Sequence, residues 1–157
     1  VAVPKGDRFG WLVEKATELG VARLVPLLTE RSVVIPGDGK LDKMRRTIIE
    51  ASKQCRRSRL MELDESQEWP AFTSRQPTDR PFWVAHPTGQ PLERSTLPVA
   101  GHLTVAIGPE GGFTDREIAL AVAQGARLIT LGARILRIET AALAVAAALG
   151  VTTGHSG

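Results

Sequence analysis

Apolar residues recur along the chain with two spacings, which predicts alternating strands and helices. Short runs of neighbouring apolar residues predict five strands, at 1–3, 23–28, 82–85, 103–107 and 127–131. Apolar positions three and four residues apart predict helices at 7–19, 41–55, 114–124 and 139–149. The late strands lack polar alternation, as strands buried on both faces do. We therefore expect an α/β fold, with a parallel sheet covered by helices on both faces.

Capping residues and turns mark the ends of these helices. Asp7 is placed to cap the first helix and Gly20 to end it. Thr114 and Glu117 form a capping box, and Gly125 follows the helix that it starts. The apolar face predicted for the first helix contains Trp11, Leu12, Ala16 and Leu19.

Two stretches carry less pattern. Residues 29–40 predict a loop with a turn at Pro36–Gly39, and residues 60–80 are polar and irregular, with Trp69 packed against the body. The most apolar run, Ala141–Val151, is too short to cross a membrane. It predicts a helix buried within the protein or against another subunit.

Length and composition fit one globular domain of 157 residues, with 43% hydrophobic and 24% charged residues. The net charge is only +3, but basic residues cluster in the segment 40–59. Such a cluster predicts an anionic partner, with a solvated helix face as the alternative. The clustered residues are Lys40, Lys43, Arg45, Arg46, Lys53, Arg56, Arg57 and Arg59.

One cysteine and three histidines limit the chemistry. Cys55 has no partner for a disulfide, which fits a reducing cytoplasm, and its helical spacing predicts a small core residue. His86, His102 and His155 are scattered without metal-ligand spacing, so we expect no metal. No signal peptide precedes the first strand, and the chain lacks an initiator Met, so we expect a fragment or a processed form of a longer protein.

Two loops one helix apart are the most informative segments. The first, 107–114, reads Ile-Gly-Pro-Glu-Gly-Gly-Phe-Thr, and the second, 131–141, reads Leu-Gly-Ala-Arg-Ile-Leu-Arg-Ile-Glu-Thr-Ala. Each follows a predicted strand and opens a helix. Because such loops lie at one end of a parallel sheet, they predict a small-molecule site.

The first loop departs from both common phosphate-binding patterns. Phe113 and Thr114 follow Gly112 where a Walker loop has lysine, and the glycine spacing differs from the dinucleotide fingerprint. Glu110 would repel a pyrophosphate. The loop suits a ligand recognised by a base edge, hydroxyls or a positive charge, and the alternative is a tight turn without a ligand.

The second loop interleaves arginines with apolar residues. Arg134 and Arg137 can hold phosphates or orient a base through their planar guanidinium groups. Ile135 and Leu136 can form a wall for a flat ligand, and Glu139 can cap the next helix or support an arginine. The alternative is an amphipathic loop with solvent-facing arginines.

Together these motifs resemble the SPOUT class of methyltransferases, and more narrowly the ribosomal RNA small subunit methyltransferase E family. That family methylates N3 of a uridine in bacterial 16S ribosomal RNA. Four further segments match it, at 4–8, 14–21, 29–32 and 49–57. The resemblance covers most of the chain except 60–80, 88–100 and the tail.

The resemblance implies a deep trefoil knot in the C-terminal part, a homodimer and S-adenosylmethionine as cofactor. Three loops would hold the cofactor in a bent form, with backbone groups around Ile107, Leu131 and Leu136 reading the adenine. The implied cofactor-binding residues are His86, Pro87, Ile107, Gly108, Glu110, Gly111, Gly112, Leu131, Gly132 and Leu136.

For catalysis, N3 of uracil must lose a proton or be stabilised as an anion. We expect Arg137 to orient the uracil and stabilise its negative charge, and Glu139 to accept the proton or orient Arg137. Phosphates of the ribosomal RNA would bind a basic set comprising Lys5, Arg8, Lys15, Arg31, Arg45, Arg46, Lys53, Arg56 and Arg57.

The expected organisation is a methyltransferase domain at 1–151 and a flexible tail at 152–157. Members of the family also carry an N-terminal PUA-like RNA-binding domain, which this chain has no room for, so we expect weaker RNA binding than that of the complete protein. The expected partners are 16S ribosomal RNA in the small ribosomal subunit and a second copy of the chain, which would contact the helix at 140–149. The expected location is the cytoplasm, and we expect no membrane association. Alternatives are a SPOUT enzyme acting on another ribosomal or transfer RNA position, a non-catalytic RNA-binding module, and a nucleotide phosphate-binding domain.

Overall fold

A computed structural model describes residues 1–93 and 101–152 of the chain. Helices and strands alternate within these ranges, as the apolar spacing predicts. The helices are α1 (Arg8–Glu18), α2 (Asp38–Gln54), α3 (Trp69–Ser74), α4 (Asp115–Ala123) and α5 (Ile138–Thr152). The strands are β1 (Arg23–Leu24), β2 (Leu27–Leu28), β3 (Glu62–Leu63), β4 (Gln67–Glu68), β5 (Phe82–Pro91), β6 (Thr104–Ala106) and β7 (Arg127–Thr130).

Every strand pair is parallel. β5 lies between β6 and β7, while β1 pairs with β3 and β2 with β4. The first residues of the chain connect these groups, because the Ala2 amide donates to the Ile107 carbonyl (2.8 Å) and the Leu27 amide donates to the Val1 carbonyl (2.9 Å). The strand predicted at 1–3 is thus reduced to one bridge, between Ala2 and Leu27.

Alternate residues of β5 pack on opposite sides of the sheet. Phe82 and Val84 join the cluster formed with Trp69 and Phe72 of α3 and Ala121 of α4. Ala85, on the other side, packs with Ile138, Ala141 and Val145 of α5. The parallel sheet with helices on both faces is therefore confirmed.

The first helix differs from its prediction in two ways. Asp7 occupies the N-cap position, but its side chain makes no capping hydrogen bond. Trp11 is 48% exposed, and the buried face consists of Phe9, Leu12, Val13, Ala16 and Thr17. The buried positions repeat from Phe9 at intervals of three and four residues, and Trp11 falls outside that stripe. The buried Thr17 hydroxyl donates to the Val13 carbonyl (2.8 Å).

The second helix begins three residues earlier than predicted, at Asp38, so half of the expected turn is helical. Leu41, Met44, Ile48 and Ala51 are buried as expected. Cys55 is the half-buried residue that ends the helix, and Ser52 takes the core position beside Ala51.

Residues 60–80 contain β3, β4 and α3, which the sequence does not predict. The predicted strand at 23–28 is divided into β1 and β2 around Val25 and Pro26. Trp69 is fully buried, as expected, and its ring lies 4.4 Å from that of Phe113.

The C-terminal half follows the prediction closely. The Thr114–Glu117 capping box opens α4, and Gly125 after it has φ +82°. The last helix extends to Thr152, one residue into the predicted tail, and residues 153–157 with His155 lie outside the described residues. Within the described ranges, no helix has the length and apolarity needed to cross a membrane.

Candidate functional site

An open cleft of about 590 Å³ lies where β5 and β7 end. This volume falls in the usual range for small-molecule pockets, about 300–1,000 Å³. The cleft is lined mainly by apolar side chains and by backbone, namely Pro87, Pro91, Leu92, Thr130, Leu131, Gly132, Ala133 and Ala144. Its position at the carboxyl ends of parallel strands is where ligands bind in open α/β sheets.

One wall of the cleft comes from an irregular part of β5. Ala85 and Gln90 both pair with Ile129 of β7, so the four residues between them leave the ladder. Gly89 lies against the backbone of Ile129, where an added Cβ would be 2.4 Å from a carbonyl carbon. Within the excursion, the His86 Nδ1 atom lies 2.8 Å from the Thr88 hydroxyl. Pro87 is thereby brought to the cleft, while His86 is half-buried beside it.

The opposite wall is the start of the second loop. Leu131 and Gly132 line the cleft, and Gly132 has φ +108° with open space where a Cβ would be. The Thr130 hydroxyl donates to the Gly132 carbonyl (3.2 Å), which holds this turn. Arg134 is exposed, and Ile135 is 93% exposed, so the apolar wall predicted from Ile135 is not formed by this chain alone.

The first loop packs against the second loop through Ile107. Ile107 is buried in one cluster with Leu131 and Leu136, so the three residues predicted to surround an adenine lie together. Gly108 and Glu110 to Gly112 do not line the cleft. A Cβ on Gly108 would lie 2.9 Å from the Phe113 ring, and the Gly112 amide donates to the Pro109 carbonyl (2.8 Å). These glycines therefore shape the turn itself.

Two hydrogen bonds attach the loop Thr29–Ser32 to the first loop and to helix α4, which that loop opens. The Arg31 guanidinium donates to the Gly111 carbonyl (2.7 Å), and the Glu30 amide donates to Oε1 of the buried Glu117 (2.9 Å). The capping box predicts that the Glu117 carboxylate accepts hydrogen bonds at the start of its own helix. Its second bond, to the Glu30 amide, could not be predicted from the sequence.

Glu139 lies in the first turn of α5, and its side chain is buried. Its Oε1 atom is 3.7 Å from Nη1 of Arg8, whereas Oε2 has no hydrogen-bond partner among the described residues. The arginine beside Glu139 is thus Arg8, and Arg137 is exposed to solvent. A buried carboxylate oxygen without a partner is costly, which makes Oε2 a candidate acceptor for a ligand proton.

The predicted RNA-binding residues fall into two groups. Lys5, Arg46 and Arg56 are exposed. The second group is engaged within the protein: Lys15 with Glu14 and Glu18, Arg45 with Asp42 and Glu65, Lys53 with Glu50, Arg8 with Glu139, Arg31 with Gly111 and Arg57 with Thr17. Exposed ion pairs are weak and can exchange for phosphate.

Half-buried Arg57 has a structural contact as well as a charge. Its guanidinium donates to the Thr17 carbonyl at the end of α1 (3.0 Å), and burial lowers its pKa. Arg57 therefore also holds α2 against α1. In the described ranges, no group of three or more His, Cys, Asp or Glu side chains is arranged to hold a metal ion.

Comparison with known proteins places the chain among RNA methyltransferases. A family model described as RNA methyltransferase domain matches residues 1–150. Two relatives are named ribosomal RNA small subunit methyltransferase E, from Synechocystis (36% identical over 90% of this chain) and Bacillus subtilis (31% over 96%). A structure with the same name from Neisseria gonorrhoeae, bound to S-adenosyl methionine, superposes with a TM-score of 0.87 at 28% identity over 96% of this chain.

The compared proteins are longer than this chain. The matched part spans 48% of the Synechocystis protein, 64% of the Bacillus subtilis protein and 63% of the Neisseria gonorrhoeae chain.

Proposed function

The chain belongs to the family of RNA methyltransferase domains, and on this premise we propose that it transfers a methyl group from S-adenosylmethionine to N3 of a uridine in 16S ribosomal RNA. The observation that carries the proposal is the cleft at the ends of β5 and β7, where Pro87, Leu131 and Gly132 meet. The relatives' names and the cofactor bound in the related structure support the same reaction.

The cleft fits the cofactor in size and chemistry. Its walls are apolar around the exposed backbone at Gly132, which suits a flat base held by its edges. Glu110 at the exposed tip of the first loop is compatible with a cationic ligand. When bound, S-adenosylmethionine supplies an electrophilic methyl group on its positively charged sulfur. The residues proposed to hold it are His86, Pro87, Ile107, Gly108, Glu110, Gly111, Gly112, Leu131, Gly132 and Leu136.

Glu139 is the proposed proton acceptor. Its Oε2 atom is buried and unpartnered, while Arg8 lies beside Oε1 and keeps that side of the carboxylate occupied. A positioned base of this kind contributes about 10²–10⁴-fold to a rate. Arg137, exposed two residues before Glu139, would stabilise the negative charge that develops on the uracil oxygens.

Ribosomal RNA phosphates would bind the exposed residues Lys5, Arg46 and Arg56 first. The paired cations Lys15, Arg45 and Lys53, together with Arg8, Arg31 and Arg57, would extend this surface. Phosphate contacts release counterions, so binding should weaken steeply with salt.

The assembly belongs to the same proposal. Thr140 and Ala144 are the exposed residues of α5 over 138–150, and Ala144 also lines the cleft, so a partner packed on this helix would lie beside the site. We propose that a second copy of the chain covers α5 in a homodimer and that the C-terminal part forms a trefoil knot. We also propose that the methyltransferase domain at 1–151 works in the cytoplasm as part of a longer protein with a PUA-like domain.

The test is methylation of 16S ribosomal RNA, read as a stop in primer extension because N3 methylation blocks the Watson–Crick edge. Glu139→Gln and Arg137→Ala should each lose at least about 10²-fold in rate, while Glu14→Gln, a half-exposed carboxylate on α1, should not. Calorimetry with S-adenosylmethionine separates the alternatives, because a non-catalytic RNA-binding module would show no binding. Full activity of Glu139→Gln with intact cofactor binding would remove Glu139 from the mechanism.

A further inference from the structure

Glu117 joins two loops that lie far apart in the sequence. Its Oε1 atom accepts the Glu30 amide at 2.9 Å across 87 residues, and its Oε2 atom accepts the Thr114 amide at 2.8 Å. Its side chain is buried, and the Trp69 indole donates to its backbone carbonyl (2.9 Å). Each carboxylate oxygen therefore serves a different loop from a fixed position.

Arg31 makes a second link between the same loops. Its Nη1 atom donates to the Gly111 carbonyl at 2.7 Å across 80 residues, and a Cβ on Gly111 would lie 3.2 Å from the Arg31 side chain. The Arg31 side chain therefore packs directly against Gly111 of the first loop.

We propose that Glu117 is a positioning residue that holds the loop Thr29–Ser32 against the first loop, Ile107–Thr114, through its bonds to the Glu30 and Thr114 amides, so that cofactor binding at the first loop stabilises the RNA-facing cation Arg31 on the other. The inference rests on the proposed function, since it assigns the first loop to the cofactor and Arg31 to RNA. Neither loop can open without breaking a hydrogen bond to a buried carboxylate, and such bonds are stronger than neutral ones. The two ligands would thus be coupled mainly through Glu117, which contacts neither of them, with the Arg31–Gly111 bond as a second link.

The substitution Glu117→Gln isolates this link. A capping box works with either Glu or Gln, so the amide oxygen can still accept from Thr114. The remaining NH₂ group then faces the Glu30 amide, and two donors oppose each other. Asp115→Asn is the matched control, because it removes a carboxylate from the same helical turn at an exposed position.

The experiment measures amide hydrogen exchange at Glu30, with and without S-adenosylmethionine, in the wild type and both variants. Ligand at about a hundred times its Kd suppresses a coupled opening by up to ~100-fold. We expect the cofactor to slow exchange at Glu30 by at least about tenfold in the wild type and in Asp115→Asn, but by less than about twofold in Glu117→Gln. A merely structural role would change the basal exchange and leave the cofactor-dependent slowing intact.

Three outcomes decide the matter. Equal slowing in the wild type and Glu117→Gln would overturn the inference, because the cofactor would then reach the loop by another route. No cofactor binding by the wild type would refute the proposed function and this inference with it. Should Glu117→Gln fail to fold, Glu117→Asp keeps the charge but shortens the side chain, so that it no longer reaches both the Glu30 and the Thr114 amides, and undiminished slowing in that variant would also overturn the inference.

Discussion

Replacing Gly89 with alanine should distort the cleft from within the sheet. An added Cβ would lie 2.4–2.6 Å from three backbone atoms of Ile129. Carbon atoms in contact prefer about 3.5–4.0 Å, so β5 and β7 would have to separate by roughly 1 Å. The obstacle is backbone rather than a flexible side chain, and therefore no rotamer change relieves it.

The magnitude follows from this overlap. Overpacking typically costs about 1–3 kcal/mol, and a backbone obstacle places Gly89→Ala in the upper part of that range. For a domain of this size each kcal/mol corresponds to about 2–4 °C, so the melting temperature should fall by roughly 4–12 °C. The same displacement moves Pro87, so S-adenosylmethionine should also bind more weakly.

Thermal denaturation followed by circular dichroism measures the first effect, and calorimetry measures the second. Gly39→Ala is the matched control, since it adds the same methyl group in α2 with nothing within 4 Å. Alanine is the better helix former by about 1 kcal/mol, so this variant should melt at the same or a higher temperature. A melting temperature for Gly89→Ala equal to that of the wild type would refute the reasoning.

Two further predictions concern the loop and the basic surface. Gly132→Ala forces a non-glycine residue to φ +108°, at a cost of about 1–3 kcal/mol, and should weaken S-adenosylmethionine binding in calorimetry. The control Gly125→Ala, at φ +82° away from the cleft, should lower the stability of the protein without lowering its affinity for S-adenosylmethionine. Equal affinities in both variants would contradict this prediction. Arg46→Ala should reduce the salt dependence of ribosomal RNA binding by about 0.7–0.9 in the log–log slope, as measured by filter binding. Arg75→Ala, at the exposed C-cap of α3 and outside the proposed RNA-binding set, should leave the slope unchanged, and an unchanged slope for Arg46→Ala would remove that residue from the RNA surface.

The sequence predicts those parts of the fold whose physics is local. β6 and β7 contain the apolar pairs Val105–Ala106 and Leu128–Ile129, and the Thr114–Glu117 capping box is complete within four residues. By contrast, β3 and β4 are polar pairs of residues without periodicity. They exist because β1 and β2 offer backbone groups to them, as when the Gln67 amide donates to the Pro26 carbonyl (2.9 Å). Such strands cannot be read from their own side chains.

The same distinction applies to the candidate site. The loops at 107–114 and 131–141 were recognisable because each follows a strand and opens a helix. The pairing of Glu139 with Arg8 depends on α5 packing against α1, and the sequence pointed instead to the adjacent Arg137. A sequence suggests ion-pair partners that are close together in the chain. Partners from distant segments, such as Arg8 and Glu139, are identified only when the packing of the helices is known.

The bond between the Glu30 amide and Glu117 has a consequence for how the protein is made. The acceptor follows the donor by 87 residues, so at about 5–20 residues per second the ribosome needs roughly 4–17 s to supply it. During that interval the loop at 29–32 has no partner on the first loop, and Leu27 and Trp69 lack their later core partners Phe113 and Ala121. α5 emerges later still. The nascent chain is therefore most vulnerable to aggregation just before its last two helices are complete, which is when a chaperone would benefit it most.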